Sequence, residues 1–161
     1  MLTWPSATPV RRRFWRPSSC VAIGYWPVCS AKLLAGGKPI LRPADLAHYP
    51  LIHVFWPEWH IRPPNWQHWL AEARATDPDA AAVDALTGPL FREELHALDA
   101  VIAGQGIGMA SDVLAARELA TGELVMLDLS LPGFGFYVAH IAGHPRRKVI
   151  DTFTSWLRSF T

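Results

Sequence analysis

Seven histidines, two cysteines and fourteen carboxylates carry most of the potential chemistry of this 161-residue chain. Their spacing is poor for catalysis. His48, His53, His60, His68, His96, His140 and His144 include no H-E-x-x-H run, and Cys20 and Cys29 form no C-x-x-C pair, so the ligand spacing of a zinc site is missing. No metal and no cofactor are expected. Ser111 is a candidate nucleophile by type, yet no G-x-S-x-G elbow surrounds any serine, and Ser111 sits where a helix cap is needed. Gly104-Gln105-Gly106-Ile107-Gly108 resembles a dinucleotide-binding loop in composition only. Such a loop follows a strand and opens a helix, whereas these glycines follow a helical pattern. The sequence therefore reads as a non-enzyme. The alternative is a small α/β hydrolase, which requires a histidine within hydrogen-bond reach of Ser111.

Two junctions where a strand ends and the next element begins survive this filter, His53 to Trp59 and Ala110 to Val113. In open α/β sheets, ligands collect beyond the carboxyl ends of strands. The candidate ligand-binding residues are Phe55, Trp56, Phe91, Ala110, Ser111 and Asp112. Trp66, Trp69 and Trp156 have helical core spacing, while Trp56 and Trp59 flank Pro57-Glu58 and are free to line a pocket. The amides of Ser111 and Asp112, read as a helix start, suit a carboxylate, so the expected ligand is an amino acid or an organic acid.

The elements that must position these residues follow from periodicity. Tyr25 to Cys29 reads as a strand, ended by Ser30 as the cap of a short helix through Leu34. A turn of helix follows at Asp45-Leu46, then a buried strand over Pro50 to Phe55. Pro63-Pro64 opens a helix with Trp66, Trp69, Leu70 and Ala73 on one face. Residues 77–88 read as loop with a short strand at Ala82-Val83. A helix from Phe91, with Leu95, Leu98 and Ile102 on one face, stops at Gly104. A strand over Ile107 to Ala110, a helix capped by Ser111 or Asp112 and running to Gly122, and a strand over Leu124 to Leu127 complete an α/β pattern. Phe134 to Ile141 is apolar on both faces, as expected of a central strand or one crossing between lobes. The last helix carries a stripe of Val149, Ile150, Phe153, Trp156, Leu157 and Phe160 that needs something to dock on. Pro5, Pro9 and Pro17 break every period before Tyr25, so residues 1–24 read as irregular.

Half of the residues are hydrophobic and the net charge is +1. Residues 1–30 hold Arg11, Arg12, Arg13 and Arg16 with no acid, which leaves the remainder acidic and without a basic stripe. Direct sequence-specific DNA binding is not expected of such a body. No uncharged apolar run reaches about 18 residues, so no membrane-spanning helix is expected. Arg11-Arg12-Arg13-Phe14 lacks the apolar run of an export signal, and the two cysteines suit reduced thiols, which favours the cytoplasm.

The run Ala97-Leu98-Asp99-Ala100-Val101-Ile102-Ala103-Gly104-Gln105-Gly106-Ile107-Gly108-Met109-Ala110-Ser111-Asp112 closely resembles the effector domain of LysR-type transcriptional regulators, nearest to the subgroup that activates glycine-cleavage genes. Pro27-Val28-Cys29-Ser30, Ala44-Asp45-Leu46, Pro50-Leu51-Ile52-His53, Trp66-Gln67-His68-Trp69-Leu70 and Phe153-Thr154-Ser155-Trp156-Leu157 continue the resemblance in order. It implies a periplasmic-binding-protein-like fold of two Rossmann-like lobes with a small-molecule effector between them. On that pattern residues 25–161 are a partial effector-binding domain: 31–137 the second lobe, Tyr25 to Ser30 and Tyr137 to Ile141 the crossovers, and the final helix a return to the first lobe. Nothing in the chain resembles the family's winged helix-turn-helix, and the segment before Tyr25 suggests truncation or a frame shift. Expected partners are the effector and a second copy or another LysR-type protein, with a decoy role as a further alternative.

Overall fold

The computed structural model describes residues 15–22, 24–57, 63–127, 135–141 and 143–159. The chain divides into two units, residues 24–133 and residues 1–23 with 134–161. The larger unit is built on a five-stranded sheet of order β4-β3-β5-β2-β6. Its strands are β2 (Tyr25–Ser30), β3 (Leu51–Val54), β4 (Leu90–Phe91), β5 (Ile107–Ser111) and β6 (Leu124–Met126). β3 runs parallel to β4 and β5, while β2 runs antiparallel to β5 and β6. The register pairs Ile52 with Gly108 and Trp26 with Ala110. This is the expected α/β class.

Local chemistry explains the connections. Ser30 caps α1 (Ala31–Gly36), its Oγ accepting from Leu33 N at 3.2 Å. A 3-10 turn at Pro43–His48 is tied to a second at Pro78–Ala82, because the buried Asp77 carboxylate accepts from Ala44 N at 2.9 Å and from Arg42 Nη1 at 3.2 Å. Helix α2 (Trp66–Ala73) starts at Asn65, whose Oδ1 accepts from His68 N, and it buries Trp66, Trp69 and Leu70 as expected. Trp66 also donates from Nε1 to Ile52 O at 2.9 Å, which fastens α2 to the sheet.

Helix α3 (Glu94–Ile102) buries Ala97, Leu98, Ala100 and Val101. The face differs from the one read from sequence, since Leu95 is exposed and the small alanines lie inward. Close packing requires them: a Cβ on Gly108 would lie 2.6 Å from Val101 Cγ2, so helix and strand approach to the limit that glycine permits. Gly104 stops the helix at φ +78°, and a Cβ on Gly106 would lie 2.4 Å from Pro50 O. The glycine triplet is thus a helix stop and two close approaches. The core joins Val28, Ile52, Ala97, Leu98, Val101, Ala110 and Leu124. Cys29 is buried and free, and burial pushes its thiol up to about 11.

Three readings from sequence are corrected. The strand at Ala82-Val83 is absent, because Pro78–Ala82 is 3-10; the strand is instead Leu90–Phe91, two residues that extend a parallel ladder and carry no alternation to read. The helix after β5 does not start at Ser111 or Asp112, since residues 112–115 form a turn and α4 spans Ala116–Thr121, ending at Gly122 with φ +74°. In the smaller unit, part of the segment expected to be irregular forms β1 (Trp15–Ala22), which pairs antiparallel with β7 (Gly135–Ile141). Strand β7, expected to be central or to cross between lobes, is not central among the described residues, where it belongs to a two-stranded sheet. Helix α5 (Arg147–Arg158) follows, with Thr154 buried, Ile150 and Leu157 half-buried, and Val149, Phe153 and Trp156 exposed. Phe160, also assigned to the stripe, lies outside the described residues, as does Trp59.

Candidate ligand-binding site at the carboxyl edge of the sheet

Because β3, β4 and β5 run the same way, their carboxyl ends share one edge with the amino end of the antiparallel β2. Residues far apart in sequence meet there. Asp112 and Gly24 clasp each other, Gly24 N donating to Asp112 Oδ2 at 3.1 Å and Asp112 N to Gly24 O at 3.0 Å. Ser111 N donates to Glu94 Oε1 at 3.1 Å, and Ser111 Oγ accepts from Leu114 N at 3.2 Å, capping the turn. The Tyr25 hydroxyl bonds to the same Glu94 carboxylate.

Burial raises the Glu94 pKa above the usual carboxylate range against the bonds that hold its charged form, and burial beside Glu94 and Asp112 pushes the Tyr25 phenol up to about 12. Asp112 Oδ1 is buried with no hydrogen-bond partner among the described residues. Ser111 bonds to Glu94 and Leu114 rather than to a histidine. The Glu94 carboxylate thus ties its helix to β2 and β5.

A cavity of about 240 Å³ opens at the ends of β3 and β4. Its wall includes Phe55 and Trp56 after β3, Asn65 and Gln67 at the start of α2, and Leu86 and Leu90 before and within β4. Phe55 is placed by its amide, which donates to Phe91 O at 2.8 Å and so extends the ladder past Val54. Trp56 is set edge-on to Tyr25, ring centroids 6.1 Å apart. Gly88 also lies on the wall, at φ +148°, where a Cβ would fall 1.9 Å from Leu51 O. The loop between the second 3-10 turn and β4 can lie against β3 only with glycine there.

The model of the LysR substrate binding domain matches residues 24–161. The chain belongs to this family. It is similar to the glycine cleavage system transcriptional activator of Escherichia coli K12, 29% identical over 133 residues, and to the homologue of that activator in Haemophilus influenzae, 33% identical over 132 residues. Each match covers 81% of this chain and 40% of the relative, so the chain spans about two fifths of their length. The effector domain of AmpR from Pseudomonas aeruginosa superposes with a TM-score of 0.64 at 18% identity, over 90% of this chain and 64% of that one. The regulatory domain of a Vibrio vulnificus AphB variant gives 0.66 at 13% identity, over 96% and 72%. The fold is that of LysR effector-binding domains.

Within this LysR domain the residues singled out from sequence divide in three. Phe55 and Trp56 line the cavity. Phe91 packs half-buried against the core and lends its carbonyl to Phe55, while Ala110 is buried inside the core. Ser111 and Asp112 lie at the edge, but both of their amides already have acceptors, Glu94 and Gly24, so the anchors expected for a carboxylate are taken. Sequence reasoning missed Tyr25, Glu94, Asn65, Gln67, Leu86 and Leu90. The parallel strand order that gathers them has no local signal. His140 and His144, four residues apart, were passed over as a pair. They lie on β7 and in the turn after it rather than on one helix face, and no cluster of three metal-ligating side chains occurs among the described residues.

Proposed function

We propose that this chain is the ligand-sensing part of a cytoplasmic LysR-type regulator, that it binds a small-molecule effector at the carboxyl edge of its sheet, and that it catalyses nothing. The observation that carries this reading is the cavity lined by Phe55 and Trp56, placed at that edge in a member of the effector-binding family. The engagement of Ser111 with Glu94 and Leu114 favours binding over hydrolysis. Phe55, Trp56, Phe91, Ser111 and Asp112 form or support the site, with Ala110 behind it in the core. Self-association belongs to the same reading, since Val149 and Phe153 are exposed on α5.

Calorimetric titration of the full chain against a panel of amino acids, organic acids and uncharged metabolites tests the proposal. One compound saturates one site per chain, and Phe55→Ala weakens it. Saturable binding indifferent to Phe55, or turnover of a panel compound, overturns the reading. Footprinting on candidate operators shows no sequence-specific protection by this chain alone, while salt-sensitive retention through Arg11 to Arg16 is non-specific. Sedimentation across a range of concentrations reads the self-association.

A further inference from the structure

We infer that Glu94 and Tyr25 are positioning residues for the effector: the carboxylate anchors the phenol, and the phenol fixes the Trp56 ring on the cavity wall before a ligand arrives. The inference rests on reading the cavity at the ends of β3 and β4 as the effector site. Trp56 is half-buried on that wall and lies beyond β3, past the ladder bond from Phe55 N to Phe91 O. Its ring takes support from neighbouring side chains rather than from the sheet. Tyr25 meets it edge-on, with planes crossed at 84°, the geometry in which the positive edge of one ring faces the negative face of the other.

Tyr25 and Glu94 stand behind the described wall rather than on it, so they act through Trp56. Tyr25 is 6% exposed, which takes its hydroxyl out of water and requires a partner in the protein; Glu94 supplies one. Burial, and then the charges of Glu94 and Asp112, push the phenol up to about 12, so the hydroxyl keeps its proton at neutral pH. Glu94 is held in turn by Ser111, accepting from its amide at 3.1 Å and from its hydroxyl. Ser111 and Tyr25 are themselves paired across β5 and β2. Support therefore runs from the sheet through one carboxylate and one phenol to the indole. Glu94 also opens α3 and follows β4 through Arg92 and Glu93, so it sits at the corner of the strand that lines the cavity with Leu90. A ligand that meets a ring already in place has less ordering to offset on binding.

Fluorine NMR of the full chain, with fluorotryptophan at its eight tryptophans, tests this. Trp56→Phe, Trp66→Phe and Trp69→Phe assign three of the lines. The Trp56 line is expected to be narrow in the ligand-free parent. Tyr25→Phe keeps the ring and removes only the hydroxyl, and Glu94→Leu alters neither ring; each is expected to shift or broaden the Trp56 line while those of Trp66 and Trp69 stay in place. Glu94→Gln, whose carboxamide still accepts from Ser111 N and bonds the hydroxyl, is expected to retain the parent line. Tyr25→Phe and Glu94→Gln decide the matter if Glu94→Leu does not fold. A Trp56 line already broad in the parent, unmoved in Tyr25→Phe, or changed only together with Trp66 and Trp69 overturns the inference and leaves the cavity as the effector site. Binding in the metabolite panel that ignores Phe55→Ala overturns the effector reading and this role with it, whatever the Trp56 line does, so the two failures are told apart.

Discussion

Glu94 is the residue whose environment and role are furthest apart from what its type suggests. It accepts from Ser111 N and bonds Tyr25, so one carboxylate joins α3, β5 and β2. Burial nonetheless raises its pKa, which means that the folded chain holds this proton more tightly than the unfolded chain does. The contribution to stability is therefore complete below the ordinary value of 4.5 and is lost as pH rises through the raised value. Urea unfolding between about pH 4 and 8 should show Glu94→Gln losing less stability than the parent chain over this interval; identical slopes would remove burial as the dominant cause. Trp66→Phe is expected to cost about 1 to 3 kcal/mol, because the buried Ile52 carbonyl loses its indole donor; a shift in urea midpoint reads this. Trp66 was legible from helical spacing. Glu94 was not, because its partners lie 17 residues ahead at Ser111 and far behind at Tyr25, and spacing along the chain reports neither.

At the scale of elements, the glycine triplet shows what sequence can and cannot announce. Gly104 was readable as a helix stop, since a left-handed residue belongs there. Gly108 was not readable as a packing site, because its reason is Val101 on the preceding helix. Gly108→Ala is expected to cost about 1 to 3 kcal/mol by overpacking, and less in a Val101→Ala background, where the added methyl finds room; additive costs in a double-mutant cycle would show that the two do not touch. Strand β4 escaped detection because two residues have no period, and β1 because Pro17 stands inside it. Helix α5 was legible throughout, yet its burial divides along the stripe: Ile150, Thr154 and Leu157 turn inward, while Phe153 and Trp156 stack at 5.7 Å with half their surface in water. Trp156→Ala should therefore cost about 1 kcal/mol or less in the single chain, rather than the about 3 to 5 kcal/mol of a buried site, as a melting comparison would show.

For the whole molecule, the family pattern set out the α/β class, the order of elements and an expected lobe over residues 31–137, while the contacts divide the chain into residues 24–133 and the remainder. Residues 24–133 hold a five-stranded sheet and the core cluster; the described part of the other unit is a two-stranded sheet and one helix. A two-stranded sheet is marginal without a covering element, so the units are expected to differ in stability. Hydrogen exchange should leave amides of β2, β3 and β5 protected after those of β7 and α5 have exchanged. Equal protection in both units would show a single cooperative block. The pair formed by Trp66 and Trp69 has a practical consequence for such measurements. Two indoles held 5.6 Å apart and crossed at 80°, both buried in the larger unit, form a fixed chiral array. Such an array should give near-ultraviolet circular dichroism that vanishes when packing is lost even if backbone structure persists. The larger unit thus carries its own optical probe, and loss of that signal in Trp69→Phe would assign it.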